Sequence, residues 1–125
     1  MYKIVVAEDH PTSRELIEEL LHSFGYDVVS ACDGRDALDK VENHHPDLVV
    51  VDIQMPILDG FGVLRHLRRD ARFARLPIVA LSAYAMRGDR EKGLDAGFDA
   101  YLTKPIDAAA LKEQLHILLR PQGNI

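Results

Sequence analysis

The chain has no tryptophan, a single cysteine and only 6% aromatic residues. One cysteine cannot close an intrachain disulfide, so packing alone must hold the fold, and a reducing, cytoplasmic setting is expected. No apolar run approaches the ~20 residues that cross a bilayer. The first apolar run is cut short by Glu8 and Asp9, which is not a signal-peptide pattern. There is no excess of positive charge: Asp and Glu outnumber Lys and Arg by 20 to 15, a formal net charge of −5, so no nucleic-acid surface is suggested. A Gly/Ser/Thr-rich phosphate loop after the first strand candidate is missing. Glu8-Asp9-His10-Pro11 stands there instead, and it would repel phosphate without a metal, which argues against a flavin site. There is no repeat, no low-complexity segment and no interdomain linker.

What is present suits one globular domain. The 125 residues are 47% hydrophobic and 28% charged, enough for one real core but not two. Five short apolar runs alternate with five amphipathic ones. Strands are predicted over Lys3–Ala7, Asp27–Ala31, Asp47–Val51, Pro77–Leu81 and Ala100–Thr103, and helices starting near Pro11, Gly34, Gly60, Met86 and Asp107. In the first helix Leu16, Ile17, Leu20, Leu21 and Phe24 keep a 3.6-residue spacing, and Gly25 follows as a C-terminal cap. In the last, Asp107 is the N-cap and Leu111, Leu115 and Leu118 form the buried stripe. Strand–helix alternation of this kind gives an α/β fold with helices on both faces of a parallel sheet. The fourth helix contains Gly88 and Gly93, each costing about 1 kcal/mol relative to Ala, so it is expected to be marginal. Pro121 to Ile125 reads as a short loose tail.

The strand ends carry the chemistry. Leu48-Val49-Val50-Val51 has the look of a buried parallel strand, and Asp52 ends it. Glu8-Asp9 ends the first strand, Ser82 the fourth and Lys104 the fifth. Open α/β sheets bind ligands at this carboxyl edge. Taken singly, Glu8-Asp9 reads as a solvated turn, Ser82 as a loop hydroxyl and Lys104 as a surface lysine. Asp59-Gly60 reads as turn and helix-cap chemistry, and it keeps that role. Together, three carboxylates, a hydroxyl and an ammonium converge. Close carboxylates repel, and a hard cation relieves the repulsion, so Glu8, Asp9 and Asp52 form a candidate Mg²⁺ (or Mn²⁺) site, with the Gln54 backbone carbonyl as a further ligand. A carboxylate beside a metal, a lysine and a hydroxyl suits phosphoryl transfer through an acyl phosphate.

Val6-Ala7-Glu8-Asp9, Val51-Asp52-Ile53-Gln54-Met55-Pro56, Asp59-Gly60, Ala80-Leu81-Ser82-Ala83 and Ala100-Tyr101-Leu102-Thr103-Lys104-Pro105 closely resemble the receiver domain of two-component response regulators. The resemblance covers residues 1–120, leaving 121–125 as the tail. It implies a flavodoxin-like (βα)5 three-layer sandwich with strand order 2-1-3-4-5. It implies Asp52 as phosphoacceptor, Asp9, Asp52 and the Gln54 carbonyl as direct Mg²⁺ ligands, and Glu8 acting through metal-bound water. It also implies Ser82 as switch hydroxyl, Tyr101 as switch aromatic that swings from outside to inside, Lys104 as phosphate-binding lysine, and a cis Lys104–Pro105 bond. Gln54 and Tyr84, two residues beyond Asp52 and Ser82, match positions that tune the lifetime of the acyl phosphate. Three departures stand out: Glu-Asp where Asp-Asp is commonest, Ser rather than Thr at the switch, and His10 after the acid pair.

The implied function is a phosphoacceptor switch, charged by a histidine kinase or histidine phosphotransfer protein. It would control an effector through the face of the fourth helix, fifth strand and fifth helix, as a monomer or weak dimer, with no direct nucleic-acid or membrane contact. It would catalyse only its own phosphorylation and dephosphorylation. The alternatives are a receiver fragment of a hybrid kinase, a small aspartate-nucleophile phosphohydrolase, and a receiver that binds partners without phosphorylation. A phosphohydrolase would need a second acid and a cap; the complete site set argues against the last. None of the histidines lies in a phosphohistidine motif. His44-His45 is expected to be a solvated helix end, His10 a partly exposed residue at a helix start, and Cys32 a buried thiol.

Overall fold

The computed structural model describes residues 1–84 and 86–119. The predicted tail at 121–125 lies outside them. The elements run β1 (Lys3–Ala7), α1 (Pro11–Ser23), β2 (Asp27–Ala31), α2 (Gly34–His44), β3 (Leu48–Asp52), α3 (Gly60–Arg69), β4 (Ile78–Ser82), α4 (Arg87–Ala96), β5 (Ala100–Thr103) and α5 (Ala108–Leu118). All pairings are parallel, in the order β2-β1-β3-β4-β5.

The continuous apolar runs are explained by burial on both sides. Successive strand residues point to opposite faces. Val5, Ala7, Val49 and Val51 pack with Ala37 and Val41 of α2 and Val63, Leu64 and Leu67 of α3. Ile4, Val6, Leu48 and Val50 pack with Ile17 and Leu21 of α1 and Leu111 and Leu115 of α5. Truncating one of the buried Leu or Ile side chains among them to Ala would cost about 2–5 kcal/mol. No helix among the described residues is long and apolar enough to cross a membrane.

Local signals place the ends. Pro11 opens α1, where its missing N–H costs nothing. Gly25 takes φ +93° just past α1, a region closed to most side chains. The Asp59 carboxylate accepts the Gly62 N–H at 2.8 Å, and that of Asp107 accepts Ala109 N–H at 2.9 Å.

Several expectations shift. β3 and β4 each sit one residue later than the apolar runs suggest, because Asp52 and Ser82 still pair with their neighbours. Leu16 is 48% exposed; Ile17 and Leu21 take the buried stripe of α1, and Leu16 lies beyond its edge. In α5, Leu118 is half-buried and Leu119 closes the core instead. Cys32 is exposed rather than buried. Partial desolvation and the nearby Asp36 and Asp33 carboxylates push its pKa up, which disfavours the nucleophilic thiolate. His45 adopts a left-handed cap at the end of α2 and tilts its ring against Phe73, the centroids 5.5 Å apart, so it does more than meet solvent.

Among the described side chains of α4, only Gly93 is buried. A Cβ there would meet the Tyr101 ring at 2.6 Å, whereas one at Gly88 would meet nothing within 4 Å. The two glycines therefore differ. Gly93 lets the helix rest directly on an aromatic ring, and Gly88 only lowers helix propensity.

Candidate phosphoacceptor site

The parallel sheet sets Glu8, Asp52 and Lys104 side by side at its carboxyl edge. β1, β3 and β4 are in register so that Ala7 faces Val51 and Asp52 faces Leu81. Lys104 follows β5, its N–H bonded to the Ser82 carbonyl at 2.8 Å. The Lys104–Pro105 bond is cis. The Lys104 ammonium donates to Glu8 Oε1 at 2.6 Å and to Asp52 Oδ2 at 2.8 Å. Glu8, Asp52 and Ser82 are all buried polar residues in an otherwise apolar interior.

Electrostatics follow from that burial. Desolvation, reinforced by a hydrogen bond with Asp52, pushes the Glu8 carboxyl up to about 7 against the opposing pull of Lys104. Burial works against the Lys104 charge, but Asp52 and Glu8 outweigh it and raise its pKa. The pair of acids therefore holds more negative charge than one ammonium neutralises comfortably.

Ligand oxygens of Glu8, Asp9 and Asp52 lie within 4.8 Å of one another. An all-oxygen, all-carboxylate donor set at this spacing fits a hard divalent cation. Asp9 is the exposed member, open to solvent above the buried two.

The structure brings the other expected residues to the same edge. The Gln54 N–H donates to Asp52 Oδ1 at 3.0 Å, fixing the carboxylate from the loop side. The Gln54 side-chain amide reaches across to donate to the Tyr84 hydroxyl. Ser82 Oγ does not touch Asp52; it accepts the Tyr84 N–H at 3.0 Å. Tyr101 differs from the expectation of an outward start. It is 3% exposed, and its hydroxyl donates to the Tyr84 carbonyl at 3.0 Å. The bare backbone of Gly93 gives its ring room. His10 is exposed and starts α1 without a side-chain cap bond.

Sequence reasoning missed Arg14, whose guanidinium donates to the Glu8 carbonyl at 2.8 Å. Only its place on the first turn of the helix after the acid pair could have suggested it. The Gln54–Tyr84 contact, spanning 30 residues, had no local signal.

The profile of the response regulator receiver domain matches residues 4–116. The chain is 34% identical over 112 residues to the polar-differentiation response regulator DivK of Brucella ovis, covering 90% of this chain and 91% of that one. It is 45% identical to the sensor protein EvgS of Escherichia coli K12, over 90% of this chain but 9% of EvgS. Against the probable transcriptional regulator ycf27 of Porphyridium aerugineum identity is 41%, over 94% of this chain and 48% of the relative. The chain thus spans about half the length of the ycf27 relatives. Among solved structures, the receiver domain of sensor histidine kinase PA1611 from Pseudomonas aeruginosa PAO1, with magnesium in its active-site cleft, superposes with TM-score 0.87 at 37% identity, covering 94% and 97% of the two chains. The chain belongs to the receiver domains of two-component signalling, a family found both as single-domain response regulators and within hybrid sensor kinases.

Proposed function

We propose that this receiver domain is a phosphoacceptor switch, taking a phosphoryl group from a phosphohistidine onto Asp52. The carrying observation is a buried Asp52 whose two oxygens are already assigned: Oδ2 to the Lys104 ammonium at 2.8 Å and Oδ1 to the Gln54 N–H at 3.0 Å. Such a carboxylate is oriented in advance for attack. An Asp52 oxygen forms a bond to phosphorus as the nitrogen–phosphorus bond of the donor breaks, and the electron pair leaves with the imidazole. Lys104 moves its charge toward the transferred oxygens, and the Ser82 hydroxyl, shifting toward them, can donate its own O–H to one.

Asp9, Asp52 and the Gln54 carbonyl would hold Mg²⁺ or Mn²⁺, with Glu8 acting through water. Bound there, the cation supplies Lewis-acid neutralisation of phosphoryl charge. The magnesium in the PA1611 receiver supports this reading, as does the acidic cluster.

Readout would pass through Tyr84. Its N–H holds Ser82 and its carbonyl holds Tyr101, so pulling Ser82 toward a phosphoryl group disturbs the anchor of Tyr101. The α4-β5-α5 face, where α4 rests on that ring through Gly93, would then change for a protein effector. Gln54 and Tyr84, whose side chains bond one another, would tune the acyl phosphate lifetime. The partners would be a histidine kinase or phosphotransfer protein and an effector, in the cytoplasm. Outside its own phosphorylation and dephosphorylation the domain would not turn over substrate. The 45% identity to a short part of EvgS favours a second setting, a receiver within a hybrid kinase that relays onward to a histidine phosphotransfer protein.

The test is incubation with acetyl phosphate and Mg²⁺, followed by intact mass. One phosphoryl adduct that is absent in Asp52→Asn is expected. Continuous release of phosphate without an adduct would indicate a phosphohydrolase and overturn the reading.

A further inference from the structure

The acid pair is held by more than the sheet. The Glu8 N–H still bonds the Ala31 carbonyl at 3.1 Å, but the Glu8 carbonyl lies past Ala7, the last paired residue of β1. Glu8 is fully buried, and a buried carbonyl without a partner is costly. Among the described residues one donor reaches this oxygen: the Arg14 guanidinium, at 2.8 Å from the first turn of α1.

Arg14 is itself held. Its Nε lies 3.8 Å from Glu18 Oε1, one helical turn on, and that oxygen accepts the Ser30 hydroxyl of β2 at 2.6 Å. The Arg14 side chain is only 22% exposed. A line of polar contacts thus runs from the edge strand through α1 to the peptide that joins Glu8 to Asp9.

That peptide carries Asp9. Lys104 fixes the carboxylates of Glu8 and Asp52. The Asp9 side chain is exposed and makes no hydrogen bond among the described residues, so its backbone alone places it. Without Arg14 the Glu8 carbonyl would turn toward water. The turn would swing the Asp9 carboxylate away from Glu8 and Asp52, whose ligand oxygens lie within 4.8 Å of its own.

We propose that Arg14 is a positioning residue for cation binding: through the Glu8 carbonyl it holds the turn in which Asp9 joins Glu8 and Asp52. This deepens the phosphoacceptor reading and rests on it. The guanidinium acts through its N–H, not through its charge. A positive charge beside a cation site opposes binding, and Glu18 offsets part of that charge. The two roles therefore give opposite signs when Arg14 is replaced by a neutral residue.

Mg²⁺ affinity of the full chain is measured by calorimetry, alongside acetyl phosphate labelling at rising Mg²⁺. Arg14→Met keeps an apolar stem and loses the donor. It should bind Mg²⁺ about tenfold more weakly, as expected when the competent turn is populated about one-tenth of the time. At saturating Mg²⁺ its labelling rate should come within about twofold of wild type, because bound metal restores the turn; a general loss of structure would lower both. In the metal-free proteins the NMR resonance of the Glu8 carbonyl carbon should move as the bond is lost. Arg14→Lys, which keeps a donor on a shorter stem, should lose less affinity than Arg14→Met. Arg14→Gln, whose amide falls short of the carbonyl, repeats the measurement if Arg14→Met does not fold. Equal or tighter Mg²⁺ binding by the neutral variant overturns the proposal, and so does a labelling rate that stays low at saturating Mg²⁺. In either case a wild-type chain that binds Mg²⁺ and takes the label leaves the phosphoacceptor reading standing. A wild-type chain that does neither removes that reading and this proposal with it.

Discussion

Magnesium binding should be coupled to a proton on Glu8. The Glu8 carboxyl is buried and hydrogen-bonded to Asp52, and its pKa stands at about 7 rather than 4.5. A cation bound beside it favours the ionised carboxylate, so binding should draw that proton off. About 90% of Glu8 is protonated at pH 6 and about 10% at pH 8, so apparent Mg²⁺ affinity should rise about tenfold between them. Calorimetric titration in two buffers of different ionisation enthalpy should show more proton release per Mg²⁺ at pH 6 than at pH 8. Glu8→Gln should flatten both. The same shift has a stability consequence. A folded-state value above the unfolded one favours the folded protein when Glu8 is protonated. That contribution is complete below about pH 4.5 and is lost as pH rises through about 7. For the metal-free protein it amounts to at most about 3 kcal/mol, and Mg²⁺ should compensate the loss above pH 7. The raised Lys104 value acts only at more alkaline pH. Equal Mg²⁺ affinity at pH 6 and pH 8 with no proton release would refute the reasoning.

Tyr84→Ala removes the phenol that receives the Gln54 amide and should speed loss of the phosphoryl group; an unchanged decay rate, followed by intact mass, would count against shielding. The two glycines of α4 should respond oppositely. Gly88→Ala should stabilise by about 0.5–1 kcal/mol in denaturant unfolding, whereas Gly93→Ala drives a methyl into the Tyr101 ring and should destabilise by about 1–3 kcal/mol. Similar effects from both would mean that Tyr101 does not depend on Gly93 for its inward position.

Much of the fold was legible because its signals are local and redundant. β1, β3 and β4 are buried on both faces, so their runs of Val, Ile and Leu stand out without alternation. Pro11, Asp59 and Asp107 mark helix starts through their own backbone chemistry. The edge was legible for the same reason: parallel strands deliver Glu8, Asp52, Ser82 and Lys104 to one side of the sheet, where Lys104 bonds Glu8 and Asp52 while Ser82 Oγ bonds Tyr84 instead. The exposed Leu16 was not legible, because it adjoins Ile17 and helical spacing admits either to the stripe. Cys32 follows the last residue of an edge strand, where one step decides between core and solvent. The Gln54–Tyr84 contact depends on loops meeting across the sheet edge, which no single segment encodes.

The most direct measurement is chemical trapping of the phosphoryl group. The domain is labelled with acetyl phosphate and Mg²⁺, reduced with borohydride and digested. An acyl phosphate on Asp52 should appear as homoserine at position 52 and nowhere else, and it should vanish without Mg²⁺. Homoserine at Asp9 or at another carboxylate, or an unreduced adduct on a histidine, would contradict the account.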